Sequence, residues 1–211
     1  MRIFLFANLI FIALLIRPLT SVASRGEAII VTDTVKSWDP VFGDDFQKGL
    51  YRATFDISKN HLTGLIFIKK TSDTSYRILF SNEFGMQIFD FEFLEKEFIV
   101  HNCFPSLDRK SLIKLLENDF RILFFSNHGI KKITQERSEA SEEQSFKIKV
   151  KSGKWIYRIS AASRKILSIR STGKVFSKTR IELGHSSELV TGISISNPLI
   201  KLHISMSQIS R

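Results

Sequence analysis

The sequence predicts a mainly β (α+β) domain, a single curved antiparallel sheet or half-barrel of about ten strands with one amphipathic helix packed on it. Three observations carry this expectation. Apolar and polar residues alternate from Gly49 to Asn102, with turn chemistry roughly every eight to twelve residues. The apolar period changes to about 3.6 after Pro105-Ser106. Alternation then resumes at Phe146. So many strands in succession cannot lie flat, because each twists relative to its neighbour.

The elements follow in chain order. Tyr51, Ala53, Phe55 and Ile57 alternate with Arg52, Thr54, Asp56 and Ser58, and Lys59-Asn60 turns into a second strand from His61 to Lys70. Thr71-Ser72-Asp73 leads to a strand at 76–81, Asn82 to Gly85 makes a turn, and 86–94 with 98–102 form a hairpin around Glu95-Lys96. Leu112, Leu115, Leu116 and Phe120 share one helical face, while Arg109, Lys110, Lys114, Glu117 and Asp119 lie largely elsewhere, so an amphipathic helix is expected over 106–119. A strand is expected at 121–126, and 127–144, polar and rich in serine and glutamate, reads as a loop or a weak hairpin. Phe146, Ile148 and Val150 then alternate with Lys147, Lys149 and Lys151, which gives a sheet with one dry and one wet face. Turns at Ser152-Gly153, Ala162-Ser163 and Thr172-Gly173 separate strands at 155–161, 165–171 and 175–183, and a last strand carries Ile200, Leu202, Ile204 and Met206 on one face.

The first residues read as an export signal. Met1-Arg2 is a positive start, Ile3 to Ile16 is apolar apart from Asn8, and Ser21-Val22-Ala23 places small residues before a cleavage site between Ala23 and Ser24. A membrane anchor would need about twenty apolar residues, so 1–23 is expected to be a cleaved signal peptide. Residues 24–48 then form an irregular lead-in and 49–211 a single β-rich domain. No cysteine stands at the cleavage site, so a lipoprotein is not expected. Cys103 is the one cysteine of the chain. An exported domain that relies on burial rather than disulfides fits a bacterial periplasm.

Charge is strongly asymmetric. Residues 24–143 carry 16 Lys+Arg against 19 Asp+Glu, whereas 144–211 carry 13 against 2. Lys147, Lys149, Lys151, Arg158, Lys178 and Arg180 are therefore candidates for contact with an anionic membrane surface. Stacking aromatics are not interleaved with them, and export argues against nucleic acid. The plainer role for these cations is solubility and protection of strand edges.

Catalytic signatures are missing. His101-x-Cys103 brings two metal-capable groups to one strand, but a site needs three or four ligands and no second pair supplies them. Gly192-Ile193-Ser194-Ile195-Ser196 lacks the second glycine of a nucleophile elbow, and Thr172-Gly173-Lys174 lacks the upstream glycine of a phosphate loop. The expectation is a protein that is not an enzyme and uses neither metal nor cofactor. Strands 61–70 and 86–94 are apolar on parts of both faces. One face can take the helix, and the other is covered by the lead-in or faces an apolar cavity. In the cavity case Leu65, Phe67, Phe89, Phe91, Phe93, Leu112 and Leu116 are the candidate ligand-binding residues.

Five strands, a helix and a further set of strands resemble the fold of the lipoprotein localisation factors LolA and LolB. In detail, the stretches 64–70, 82–91, 107–110 and 119–123, with Ile193-Ser194-Ile195-Ser196 before Ile200-Lys201-Leu202-His203-Ile204, are similar to exported envelope proteins of Gram-negative bacteria that have no assigned activity. The resemblance spans roughly residues 49–207. It implies a LolA/LolB-like half-barrel and non-catalytic binding of an apolar or amphipathic envelope component, a lipid or an acylated protein. The alternative is a structural or adaptor protein that uses its basic sheet face and has no cavity.

Overall fold

The computed structural model describes residues 28–29, 41–43, 45–125, 130–136, 142–150, 153–172, 178–187 and 189–209. The signal segment, its cleavage site at Ala23 and Ser24, and Lys151 lie outside the described residues.

Among the described residues, thirteen strands form one antiparallel sheet and a single helix packs on it. A two-residue strand, β1 (Ala28–Ile29), lies at one edge. The first meander is β2 (Lys48–Ile57), β3 (Asn60–Ser72), β4 (Ser75–Asn82), β5 (Gln87–Leu94) and β6 (Phe98–Cys103). The helix α1 (Lys110–Phe124) follows, and then a second meander. This runs through β7 (Ile130–Glu136), β8 (Glu143–Val150), β9 (Gly153–Ser160), β10 (Ile166–Thr172), β11 (Arg180–Ser186), β12 (Leu189–Asn197) and β13 (Leu202–Gln208). Across the sheet the order is β1, β7 to β13, then β2 to β6, so β13 against β2 joins the two meanders. More strands form than the pattern shows: β1 lies in the lead-in, the polar stretch 127–144 supplies β7, which pairs with β8, and β12 precedes the last strand.

One face of this sheet is predominantly apolar. Following the register, Tyr157, Ile169, Ile181 and Ile195 are succeeded by Ile204, Phe55 and, two rows over, Ile66, Phe80 and Phe89, all buried. Against β4 and β5 lies α1. Phe120 meets Phe89 and Phe93, and Phe124 stacks on Tyr76 at 4.5 Å between ring centroids. From the lead-in, Val41 and Phe42 pack at the same place, Phe42 against Phe124.

The helix is shifted from its expected position and replaces the strand expected at 121–126. Residues 104–109 form tight turns, in which Leu107 and Asp108 donate backbone N–H bonds to the carbonyl of Phe104. The buried stripe runs on through Leu112, Leu115, Leu116, Asp119, Phe120, Leu123 and Phe124. Ile122-Leu123-Phe124-Phe125 looks like strand sequence because it is a short apolar run, but it is the last turn of this stripe. Arg121 fixes it. Its guanidinium donates to the carbonyls of Leu94, Glu95 and Glu97 in the β5–β6 turn, holding the helix end to the hairpin. Of the strand expected at 175–183, residues 175–177 lie outside the described residues and β11 runs over Arg180–Ser186, and β12 is a full strand ending at the Asn197-Pro198 turn.

Gly64 is a point of close approach. It stands opposite Ala53 on one side and Asn82 on the other, where a side-chain Cβ would come within 2.0 Å of the Ser81 carbonyl oxygen and 2.8 Å of Asn82 Cα. Both atoms are backbone and cannot turn aside. Gly64→Ala is therefore expected to cost about 2–3 kcal/mol, read as a lower urea midpoint at unchanged m-value. An unchanged midpoint would show that the β3–β4 pairing relaxes freely.

Candidate functional site

The residues singled out in the sequence separate onto two faces. Phe89, Phe91 and Phe93 point inward from β5 and are fully buried with Leu112 and Leu116 of the helix, where rings and aliphatic groups pack on one another. Leu65 and Phe67 alternate with the buried Ile66 and Ile68 and lie on the outer face. There, Leu50, Phe67 and Leu79 stand side by side across three strands, partly exposed, and Leu65 is 38% exposed. The seven residues therefore do not line one space. Beyond β4 and β5 the inward face continues as the aliphatic and aromatic wall of β9 to β13, with Tyr157, Ile169, Ile181, Leu183, Ile193 and Ile195, all buried.

A polar chain crosses this apolar interior. Asp119, buried in the helix stripe, shares a hydrogen bond with the hydroxyl of Thr179, and the Asn197 side-chain amide donates to that hydroxyl oxygen at 3.2 Å. Asn197 Oδ1 in turn accepts the backbone N–H of Leu199, which closes the β12–β13 turn. Among the described residues Asp119 Oδ2 has no partner. Burial, only partly offset by the Thr179 bond, pushes its pKa from 3.8 up to about 7.

The outer face differs between the two meanders. On β4 and β5 its charges are matched. Arg77 grips Asp90 with two bonds, Nε to Oδ1 at 2.8 Å and Nη2 to Oδ2 at 2.7 Å, and Glu92 meets His101 at 2.7 Å. The Arg77 guanidinium holds the Asp90 carboxyl below its usual range. On the second meander cations predominate. Lys149 lies opposite Lys132 and Lys154, with Lys147 on the neighbouring row, while Arg158 is engaged by Glu143. Lys178 and Arg180 belong elsewhere on this face. With Arg170, Lys201 and His203 they line an open cavity of about 770 Å³ at the ends of β10 to β13. Arg170, Lys201 and His203 were not singled out in the sequence, because only the register of four strands brings them to Arg180.

Cys103 is partly buried, and burial with the nearby Asp108 raises its pKa to about 11, so the thiol stays protonated. His101 turns to Glu92 instead, across a register shift in the β5–β6 pairing. No group of three or more metal-capable side chains occurs among the described residues, and no described helix is long and apolar enough to cross a membrane.

No family model matches the chain, and no curated protein matches it. Solved structures do. A LolA superfamily protein from Nitrosomonas europaea superposes with a TM-score of 0.53 at 8% identity, over 79% of this chain and 85% of that one. An outer membrane lipoprotein-sorting protein domain from Vibrio parahaemolyticus gives 0.50 at 7% identity, over 79% and 86%. At such identities the likeness concerns the backbone: one wide antiparallel sheet whose apolar face takes a helix. This chain has a LolA/LolB-like fold.

Proposed function

We propose that this protein is a non-catalytic periplasmic carrier that binds an apolar or amphipathic envelope component, a lipid or an acylated protein, against the inward face of its sheet. The observation that supports this most is the continuous apolar wall from β9 to β13. The ring contacts of α1 fall on β4 and β5 and its Asp119 reaches Thr179 just ahead of β11, while the wall itself, closed to solvent in this structure, is an apolar surface of the kind that accommodates acyl chains. The lipoprotein-sorting description of one structural neighbour agrees with it. The apolar residues Tyr157, Leu183, Val190 and Ile193 are the ones assigned to the ligand, and Phe89, Phe91, Phe93, Leu112 and Leu116 to the support beneath the helix.

The test uses the full chain exported in a Gram-negative host. Native mass spectrometry of the purified protein is expected to show a retained lipid. After delipidation a fluorescent fatty acid is expected to bind, with affinity lowered about tenfold by Ile193→Ser, which removes one buried aliphatic group from the wall. Phe67→Ser, on the outer face, should leave binding unchanged. A protein partner in place of lipid, together with no probe binding, would favour the adaptor reading instead.

A further inference from the structure

The cross-strand row that passes through the outer cavity places like charges side by side. Arg170 is directly opposite Arg180, Arg180 opposite Ser196, and Ser196 opposite His203. Directly opposed like charges on a sheet destabilise it. Here Lys178 and Lys201 add to them from the flanking turns, and no carboxylate is among the described residues that line the cavity. Glu182 reaches Arg180 only at 3.9 Å, and Asp56, the next residue of the row, is held by His61. A cluster of four cations and a histidine, with only the 3.9 Å Glu182 pair at its margin as counter-charge, costs stability that an external anion would recover.

Beside this cavity stands the β12–β13 turn, which carries Leu199 and Ile200, 57% and 38% exposed. The turn is rigid. Asn197 is anchored in the core by Thr179 and accepts the Leu199 N–H, while the Lys201 carbonyl accepts the N–H of Ser58 from the β2–β3 turn. Since Leu202 pairs with Ile57, Ile57 with Asn60, and Gly64 with Asn82, the β4–β5 turn projects from the same end of the sheet. Its tip is Phe84, 95% exposed. One end of the molecule thus combines apolar tips with a cationic recess, matching a surface whose phosphates lie just above hydrocarbon.

We infer that this end docks on an anionic phospholipid bilayer, with a lipid phosphate held among Arg170, Lys178, Arg180 and Lys201 and with Leu199 and Ile200 inserted between the acyl chains. The inference does not depend on a ligand on the inward face, because the cations lie on the opposite side of the sheet.

Vesicle co-sedimentation of the full chain tests it, with phosphatidylglycerol in phosphatidylcholine compared with phosphatidylcholine alone. Binding is expected to the anionic vesicles only. It should fall about tenfold or more in Arg170→Glu/Lys178→Glu and in Leu199→Ser/Ile200→Ser, while Lys147→Glu/Lys149→Glu, on another part of the face, changes it less than about threefold. Circular dichroism of each variant confirms that the fold is kept. Tight binding of inorganic phosphate without binding of vesicles would overturn the inference and leave a soluble-anion site. Loss of binding only in the Lys147/Lys149 variant, or no anionic preference at ordinary salt, would overturn it too.

Discussion

Leu116→Asp is expected to destabilise the domain by about 4–5 kcal/mol or more, from the loss of a fully buried aliphatic group and the burial of an unpaired charge. Leu116 is 1% exposed, between Leu112 and Phe120 on the face that meets β4 and β5. Lys114→Asp is the matched control. It puts the same residue in the same turn of the helix, so helix propensity changes alike, but Lys114 is exposed and loses only its 2.8 Å pair with Glu117. That change should cost within about 1 kcal/mol. Since small domains are stable by about 5–15 kcal/mol, the first variant should lie close to unfolding at 37 °C while the second melts near the wild type. Equal melting temperatures would mean that α1 is not docked through this stripe.

Asp119→Asn should act in the opposite direction and depend on pH. The native carboxyl holds its proton up to about pH 7, whereas the unfolded chain releases it around 3.8. Between those values the native state binds more protons than the unfolded one, so stability falls as pH rises through the window and levels off above it. Asn removes the ionisation and retains an acceptor for Thr179, at the cost of an amide donor left near the unpartnered Oδ2 position. The variant is expected to be more stable than the wild type at pH 8 by roughly 2–4 kcal/mol and to lose the decline between pH 5 and 7. Urea titrations at pH 5, 6.5 and 8 measure it. A wild-type curve flat over that range would show that the carboxylate is ionised and compensated in the fold.

The sheet was legible in the sequence because each strand with one wet face announces itself by alternation, as 146–151 does. Legibility failed where two signals overlap. Ile122 to Phe125 is too short for a period to appear, so a helix end passed for a strand, and in β3 apolar residues on both faces put Leu65 and Phe67 in the same candidate list as the inward Phe89 and Phe91. The basic cavity was half visible. Lys178 and Arg180 stand two apart on one chain segment and are found by alternation, but Arg170, Lys201 and His203 join them only through the register of β10 to β13, which no local pattern encodes.

The seam between β13 and β2 sets a schedule for the chain. Seven residue pairs from Leu202 with Ile57 to Gln208 with Tyr51 join the two meanders, yet they belong to the latest and nearly the earliest strands. A chain emerging N-terminus first, from the ribosome or across a membrane, can complete β2 to β6 while one side of β2 has no neighbour. Its ladder of N–H and C=O groups then stays open until Leu202–Gln208 arrives, a template for pairing with another nascent chain. Such late closure makes folding slow and places the aggregation hazard in the interval of synthesis and export rather than in the finished molecule.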